Sequence, residues 1–328
     1  MMGSKKINTI DITSNTAGIL KTAGFGAKPF LKWAGGKGQL LQKFQQLYPK
    51  QLKEGKIKNY YEPFLGSGAV YFDIVQNFTI EKAWLYDINP ELVLTYTVVQ
   101  KDAATLIDFL YRYQKEYLKL SAAQRQQYFY DQRTNYNLQR FNVDYDNYTD
   151  SWIARAAQFV FLNRTCFNGL YRVNSKGEFN TPAGKYDNPT ICDEYNLLAV
   201  AKLLEPAIIK RADFRQVKRD LKANSFVYFD PPYRPISKTA SFKAYSKDDF
   251  TDKEQTELSD LFATIDKKGS YVMLSNSDPK NNNPDDNFFD ELYRSFHIVR
   301  VPARRMINSD ASKRGSINEI VVTNYPTA

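Results

Sequence analysis

From Ile57 the run Ile-Lys-Asn-Tyr-Tyr closes at Glu62-Pro63-Phe64, and a small-residue turn, Gly66-Ser67-Gly68, opens an apolar helix carrying Ala69, Val70, Phe72 and Ile74. A second strand, Ala83-Trp84-Leu85-Tyr86, ends at Asp87. Strand, helix, strand in this order is the unit of a parallel sheet covered by helices, so the chain is committed to an α/β architecture. The alternation returns with Ala207-Ile208-Ile209, ahead of Asp213, and with Phe226-Val227-Tyr228-Phe229. Thr251-x-x-Glu254 is a capping box ahead of Leu258, Leu261, Phe262 and Ile265 on one helical face. Tyr271–Leu274, His297–Val301 and Ile320–Thr323 supply three more strands.

Between the two halves, from about Tyr96 to Pro189, the pattern predicts helices of mixed polar and aromatic character, such as Trp152–Leu162. A β-hairpin follows, Leu170–Val173 and Glu178–Asn180 around Asn174-Ser175-Lys176-Gly177. The expected architecture is an α/β sheet interrupted by a mainly helical insertion. Residues 1–28 read as a flexible N-terminal arm of small polar residues without apolar periodicity.

Composition narrows the chemistry. The 328 residues and 43% hydrophobic content suffice for a large core. No stretch of about 18 apolar residues exists, and the N-terminus lacks an apolar signal core, so a cytoplasmic protein without a membrane span is expected. Two cysteines, Cys166 and Cys192, make neither a disulfide framework nor a zinc-ligand pair. With His297 the single histidine, Ser–His–Asp, Cys–His and His-rich metal chemistry are disfavoured, and no metal is expected. Carboxylates, lysines, amides and aromatics must do the work.

The net charge of +9 is unevenly placed, because residues 1–58 hold eleven lysines against Asp11 and Glu54. Arg112, Lys115, Lys119, Arg125, Arg133 and Arg140 make a second excess, and Arg300, Arg304, Arg305, Lys313 and Arg314 a third. Basic patches interleaved with Tyr, Phe, Asn and Gln suit a phosphate-tracking surface. A merely solvated basic surface is an equal reading of charge alone.

Three motifs carry chemistry. The Gly66-x-Gly68 turn lets a ligand approach backbone N–H groups, but Tyr71 stands where a dinucleotide fingerprint needs a third small residue. Asp87, at the tip of the next strand, is placed to accept hydrogen bonds from ribose hydroxyls, so the pair reads as a nucleoside site without phosphates, as S-adenosylmethionine requires. Lys32-Trp-Ala-Gly-Gly-Lys37 fails as a P-loop, with Leu31 at the first glycine position and Gly38 in place of Ser or Thr. The strongest signal is Asp230-Pro231-Pro232-Tyr233, straight after a buried strand. The prolines fix the backbone and leave carbonyls free to accept, so a carboxylate, a carbonyl and an aromatic face converge. That suits a planar group bearing an exocyclic NH2. Two acceptors on its hydrogens localise the amine lone pair so that it attacks a methyl group in line. The bland alternative is a proline-stiffened turn with a capping Asp and a core Tyr.

Together the segments Phe30–Lys37, Glu62–Gly68, Asp87, Asn163–Arg172, Gly177–Asn180 and Asp230–Tyr233 resemble the Dam-type DNA adenine-N6 methyltransferases, in the family's order and across about residues 28–326. The resemblance implies a Rossmann-like methyltransferase fold, with residues 29–90 and 195–328 as the S-adenosylmethionine-binding catalytic domain and 91–194 as the target recognition domain. It implies cofactor contacts at Trp33, Lys37, Glu62, Phe64, Gly66, Gly68, Asp87, Asp213, Phe214 and Asp230. Asp230, Pro231, Pro232 and Tyr233 would hold the flipped target adenine. On the DNA side, Arg172 would read base edges in the major groove, with Leu170 and Pro182 against bases and Phe167 wedged into the stack beside Asn168. A hairpin fits a groove about 12 Å wide and Arg is the usual reader of guanine, though a salt bridge to Glu178 is the alternative for Arg172. Lys32 would read the outer guanine or contact a phosphate, and Arg133, Arg304, Arg305 and Arg314 would touch the backbone. These matches favour GATC as the target.

The expected function is therefore site-specific methylation of adenine N6 in double-stranded DNA, with a cognate restriction endonuclease a compatible partner. The alternatives are a methyltransferase acting on RNA adenine or a protein amide, and a catalytically idle DNA-binding module.

Overall fold

Alternate residues of the central strands enter two separate apolar layers, the signature of a sheet covered on both faces. Tyr60, Ala83, Leu85, Phe226 and Tyr228 join one buried cluster, while Tyr61, Trp84, Tyr86, Val227 and Phe229 join the other. In the computed structural model, which describes residues 26–234, 250–304 and 316–327, these residues lie on strands of one sheet. The strands are β1 (Asn59–Glu62), β2 (Lys82–Asp87), β3 (Ala207–Arg211), β4 (Ser225–Phe229), β5 (Tyr271–Ser277), β6 (His297–Arg304) and β7 (Ser316–Thr323). Their spatial order is β3-β2-β1-β4-β5-β7-β6. The first five run parallel, and β7 is antiparallel to both β5 and β6. This is the mixed, mostly parallel sheet that the expected Rossmann-like fold calls for. Every sheet strand expected from the sequence is present, most of them a residue or more longer than the apolar runs suggested.

The principal helices are α1 (Leu41–Leu47), α2 (Ala69–Asn77), α3 (Pro90–Lys119), α4 (Ala122–Gln139), α5 (Ser151–Thr165), α6 (Glu194–Leu204) and α7 (Asp252–Lys267). The expected capping box at Thr251 and Glu254 starts α7, whose Leu258, Leu261, Phe262 and Ile265 cover one face of the sheet. Asn89 caps α3 through the N–H groups of Glu91 (3.0 Å) and Leu92 (3.2 Å). At Asp102 the helix breaks, with φ −151° and ψ 60°. The Asp102 carboxylate accepts from Thr105 N–H at 3.1 Å and so restarts it.

The helical insertion packs into the same buried cluster as one face of the sheet, through Leu106, Leu110, Phe129, Phe159 and Phe161. A buried ion pair ties α3 to α5: Arg155 Nε donates to Glu91 Oε2 at 3.0 Å, and the Tyr145 hydroxyl donates to Glu91 Oε1 at 2.6 Å. The hairpin is shorter than the sequence suggested. A single bridge, Val173–Phe179, holds its arms. The turn is closed by Asn174 N–H to Glu178 O and Gly177 N–H to Asn174 O, each 2.9 Å. Trp84 and Trp152 are buried, as are both cysteines.

Candidate active site

The parallel strands deliver their functional residues to one edge, where β1 ends at Glu62, β2 at Asp87 and β4 at Phe229, one residue before Asp230. Asp230 and Tyr233 meet residues from three other parts of the chain. Lys37, buried in the loop before α1, lies 2.6 Å from Asp230 Oδ1 and also donates to Gly35 O at 3.0 Å and the Tyr233 hydroxyl at 3.2 Å. From β5, Ser275 Oγ donates to Asp230 Oδ1 at 3.4 Å and is itself paired with the Tyr228 hydroxyl at 2.7 Å. From β7, Glu319 Oε1 accepts the Tyr233 hydroxyl at 2.8 Å, while its Oε2 lies 3.8 Å from Lys37.

Both partners of Asp230, Lys37 and Ser275, use Oδ1. Among the described residues Oδ2 accepts no hydrogen bond, and neither does the Pro231 carbonyl, whereas the Pro232 carbonyl is taken by Gln255 Nε2 at 3.2 Å. Tyr233 is 40% exposed although its hydroxyl is anchored. Two acceptors without partners among the described residues and a partly exposed aromatic residue thus stand together, as the motif requires. Arg234 fixes the outgoing chain through Asp252 and Asp286, at 2.6 and 2.8 Å.

Electrostatics follow from burial. Desolvation raises the Asp230 carboxyl above its ordinary range, with Lys37 pulling the other way. Burial lowers the Lys37 proton affinity, but the Asp230 carboxylate, helped by Tyr233 and Glu319, overrides it and holds the ammonium well above the usual lysine range. Glu62 is pushed up to about 8, chiefly by burial, although the Tyr60 hydroxyl donates to it at 2.6 Å.

The nucleoside-type features lie along the same edge. Asp87, half-buried, accepts from Gly66 N–H at 3.1 Å and Asn89 N–H at 2.9 Å. Gly68 sits at φ +68°, where a Cβ would come within 2.8 Å of the Tyr96 hydroxyl, so only glycine closes this turn. That hydroxyl is buried and, among the described residues, unpartnered. The Phe64 ring stacks on Phe214 with centroids 5.6 Å apart, forming an apolar wall beside the turn. A carboxylate at a strand tip, a close-approach turn and an aromatic wall fit a nucleoside. Asp213 caps the turn after β3, its carboxylate accepting from the Arg215 backbone at 2.9 Å and guanidinium at 2.8 Å. Trp33 is half-buried and stacked on Tyr171 at 5.4 Å.

The expected DNA-reading residues form a second constellation beside the first. Phe167 is 53% exposed, and its N–H donates to the Pro182 carbonyl at 2.9 Å. Asn168 is exposed in a left-handed conformation with φ 56°. Lys32 is exposed and sits over the Tyr186 ring, 4.6 Å from its centroid. Arg133 donates to Thr181 O at 3.1 Å, just before Pro182, and so shapes this loop. Leu170 is half-buried and Arg172 exposed. The alternative of an Arg172–Glu178 salt bridge is not realised: Arg172 Nε donates to Asn180 Oδ1 at 2.8 Å, and Glu178 faces Arg140 at 3.5 Å. Arg300 leaves the basic patch, being paired with Asp278 at 2.9 Å and Asp290 at 2.8 Å. Arg304 ends β6, and Arg305 and Arg314 lie outside the described residues.

Two residues escaped the sequence reading. Glu319 lies in a strand with no motif around it. Asn163, fully buried, accepts from Lys32 N–H at 2.9 Å and donates to Lys32 O at 2.8 Å and Gly169 O at 3.1 Å. It clasps the loop carrying Trp33 and Lys37 to the loop carrying Phe167 and Asn168. Its place at the head of Asn163–Arg172 was the available signal.

Comparison with known proteins agrees with this geometry. Residues 33–307 match the D12 class N6 adenine-specific DNA methyltransferase family. The chain belongs to that family. The type II methyltransferase M.MjaIII of Methanocaldococcus jannaschii is 47% identical over 91% of this chain and 99% of its own length. Type II methyltransferase M1.LlaDCHI of Lactococcus lactis subsp. cremoris is 37% identical, over 94% and 99%. The DNA adenine methylase of Escherichia coli is 30% identical, over 91% and 96%. The methyltransferase has no helix, among its described residues, long and apolar enough to cross a membrane.

Proposed function

We propose that this adenine-N6 DNA methyltransferase uses S-adenosylmethionine to methylate a flipped adenine within GATC in duplex DNA. Asp230 carries the reading, because its Oδ2 stands open beside the open Pro231 carbonyl and the accessible Tyr233 ring. Asp87, the Gly66–Gly68 turn, Glu62, Phe64, Phe214, Trp33 and Lys37 would hold the cofactor, which supplies an electrophilic methyl group. Asp213, which caps the turn that sets Phe214 in place, would contact the cofactor adenine.

An adenine amine is a poor nucleophile because its lone pair is delocalised into the ring. Asp230 Oδ2 and Pro231 O accept its two hydrogens, localise the lone pair and orient it in line. Tyr233 stacks on the base. The amine must leave the duplex first, since there it is paired and shielded. A raised Asp230 carboxyl is suited to take the proton that the amine then sheds.

Residues 91–194 act as the target recognition domain in this reading, attached to a catalytic domain of residues 29–90 and 195–328; residues 1–25 of the expected arm lie outside the described residues. Phe167 fills the gap the adenine leaves, Arg172 and Lys32 read guanines, and Leu170, Asn168 and Pro182 lie against bases. Arg133, Arg304, Arg305 and Arg314 serve phosphates, Arg133 also holding its loop. The setting is cytoplasmic, and a restriction endonuclease cutting the same sequence is the natural partner.

The test is base-resolved detection of N6-methyladenine in duplexes containing GATC or each single-base variant, for the parent and Arg172→Ala, at two salt concentrations. A guanidinium reading guanine contributes about 1–3 kcal/mol of discrimination, so the mutant's preference collapses at one base pair alone. Equal loss at all sites, with a salt dependence flatter by about one unit, would make Arg172 a phosphate contact. Methylation of another sequence by the parent would overturn GATC.

A further inference from the structure

The strand β7 alternates between the two faces of the sheet with apolar residues, Ile320 and Val322 entering one layer and Val321 the other. Glu319 interrupts it at the register position opposite Ser277 of β5 and Val301 of β6. The residue is 8% exposed, and Oε2 is buried without a hydrogen-bond partner among the described residues. A carboxylate in that state opposes stability, so a purely structural role is a poor account of it. Lys37 does not need it as counter-ion either, since that ammonium sits 2.6 Å from Asp230 and 3.8 Å from Glu319. The one good bond Glu319 makes is the 2.8 Å bond it accepts from the Tyr233 hydroxyl.

We infer that Glu319 is a positioning residue for methyl transfer, acting through Tyr233. The inference rests on the reading that Tyr233 stacks on the target adenine. Tyr233 follows two prolines and is 40% exposed, with the Lys37 ammonium over one face of its ring, 5.0 Å from the centroid. Its hydroxyl is held from both sides: it accepts from Lys37 at 3.2 Å and donates to Glu319. Because Lys37 also holds Asp230, the row Asp230, Lys37, Tyr233, Glu319 fixes the carboxylate and the stacking ring relative to one another. Donation to a carboxylate also enriches the ring in electrons, which favours the positive charge that develops on the amine as it takes the methyl group.

The experiment compares Glu319→Ala, Glu319→Gln, Tyr233→Phe and the Glu319→Ala/Tyr233→Phe double variant by steady-state methylation of a GATC duplex at saturating cofactor, with a thermal melt of each. Loss of ring placement should lower kcat on the order of 10–100-fold with KM for DNA little changed. Glu319→Gln should recover part of the rate, because its amide oxygen still accepts the hydroxyl. Tyr233→Phe, which keeps the ring and removes only the hydroxyl, should resemble Glu319→Ala, and the double variant should be no slower than either. Losses that multiply in the double variant, or Glu319→Ala within about twofold of the parent, would overturn the inference. Should Glu319→Ala fail to fold, Tyr233→Phe and Glu319→Gln test the same bond: a parental rate in both overturns it. Tyr233→Ala separates the two levels. A parental rate there defeats the stacking reading itself, whereas loss there with a parental Glu319→Ala defeats only the role of Glu319.

Discussion

The helical insertion and the carboxyl edge of the sheet each bury charge, and they do so in opposite ways. In the insertion, Glu91 faces Arg155 with both carboxylate oxygens used, one of them also by Tyr145, while the guanidinium lies over the Tyr136 ring. At the sheet edge, Lys37 is shared unequally between Asp230 and Glu319, and an oxygen of each carboxylate has no hydrogen bond among the described residues. The first arrangement is closed and holds elements together. The second is open, and acceptors left without partners mark where a ligand completes the set.

Breaking the closed cluster should have the larger effect on stability. Arg155→Met leaves Glu91 charged and unpaired in the interior, so unfolding in urea should show a loss of about 3–5 kcal/mol. Adding Glu91→Gln should recover part of it, since no bare charge then remains. A loss below about 1 kcal/mol would mean that the cluster is not the clasp described here.

The open edge carries a smaller, pH-dependent signature through Glu62. Its carboxyl is raised from 4.5 to about 8 by burial, so the folded state keeps a proton that the unfolded state releases. That contribution is fully present below the ordinary carboxylate range and is lost as pH rises through about 8. One proton corresponds to a slope of at most about 1.4 kcal/mol per pH unit. Glu62→Gln should flatten this slope and leave the variant the more stable protein at pH 8. Parallel stability curves for the two proteins would show that Glu62 is charged when folded.

Much of this was legible in the sequence because the signals were local. The strand–turn–helix at Tyr60–Phe72, the capping box at Thr251 and the Asp230–Tyr233 motif each depend on neighbours in the chain. Glu319 was invisible because its partner lies 86 residues earlier and only the reversal of β7 against β5 brings them together. Asn163 stood in a recognised segment, yet its work is a contact to Lys32, 131 residues away. The hairpin was expected from its turn residues, but side chains such as Asn137, which bonds Phe179 N–H at 2.8 Å, hold it where a ladder was foreseen. The Asp102 break in α3 had no Gly or Pro to announce it.

The central claim is that Asp230 accepts from the reacting amine, and single-turnover methyl transfer to a GATC duplex by Asp230→Ala tests it most directly. Loss of that acceptor removes roughly 3 kcal/mol or more of transition-state stabilisation, so transfer should fall by about a hundredfold at least. Duplex binding, measured alongside, should survive because the proposed phosphate contacts lie elsewhere. Transfer within about tenfold of the parent would contradict the account.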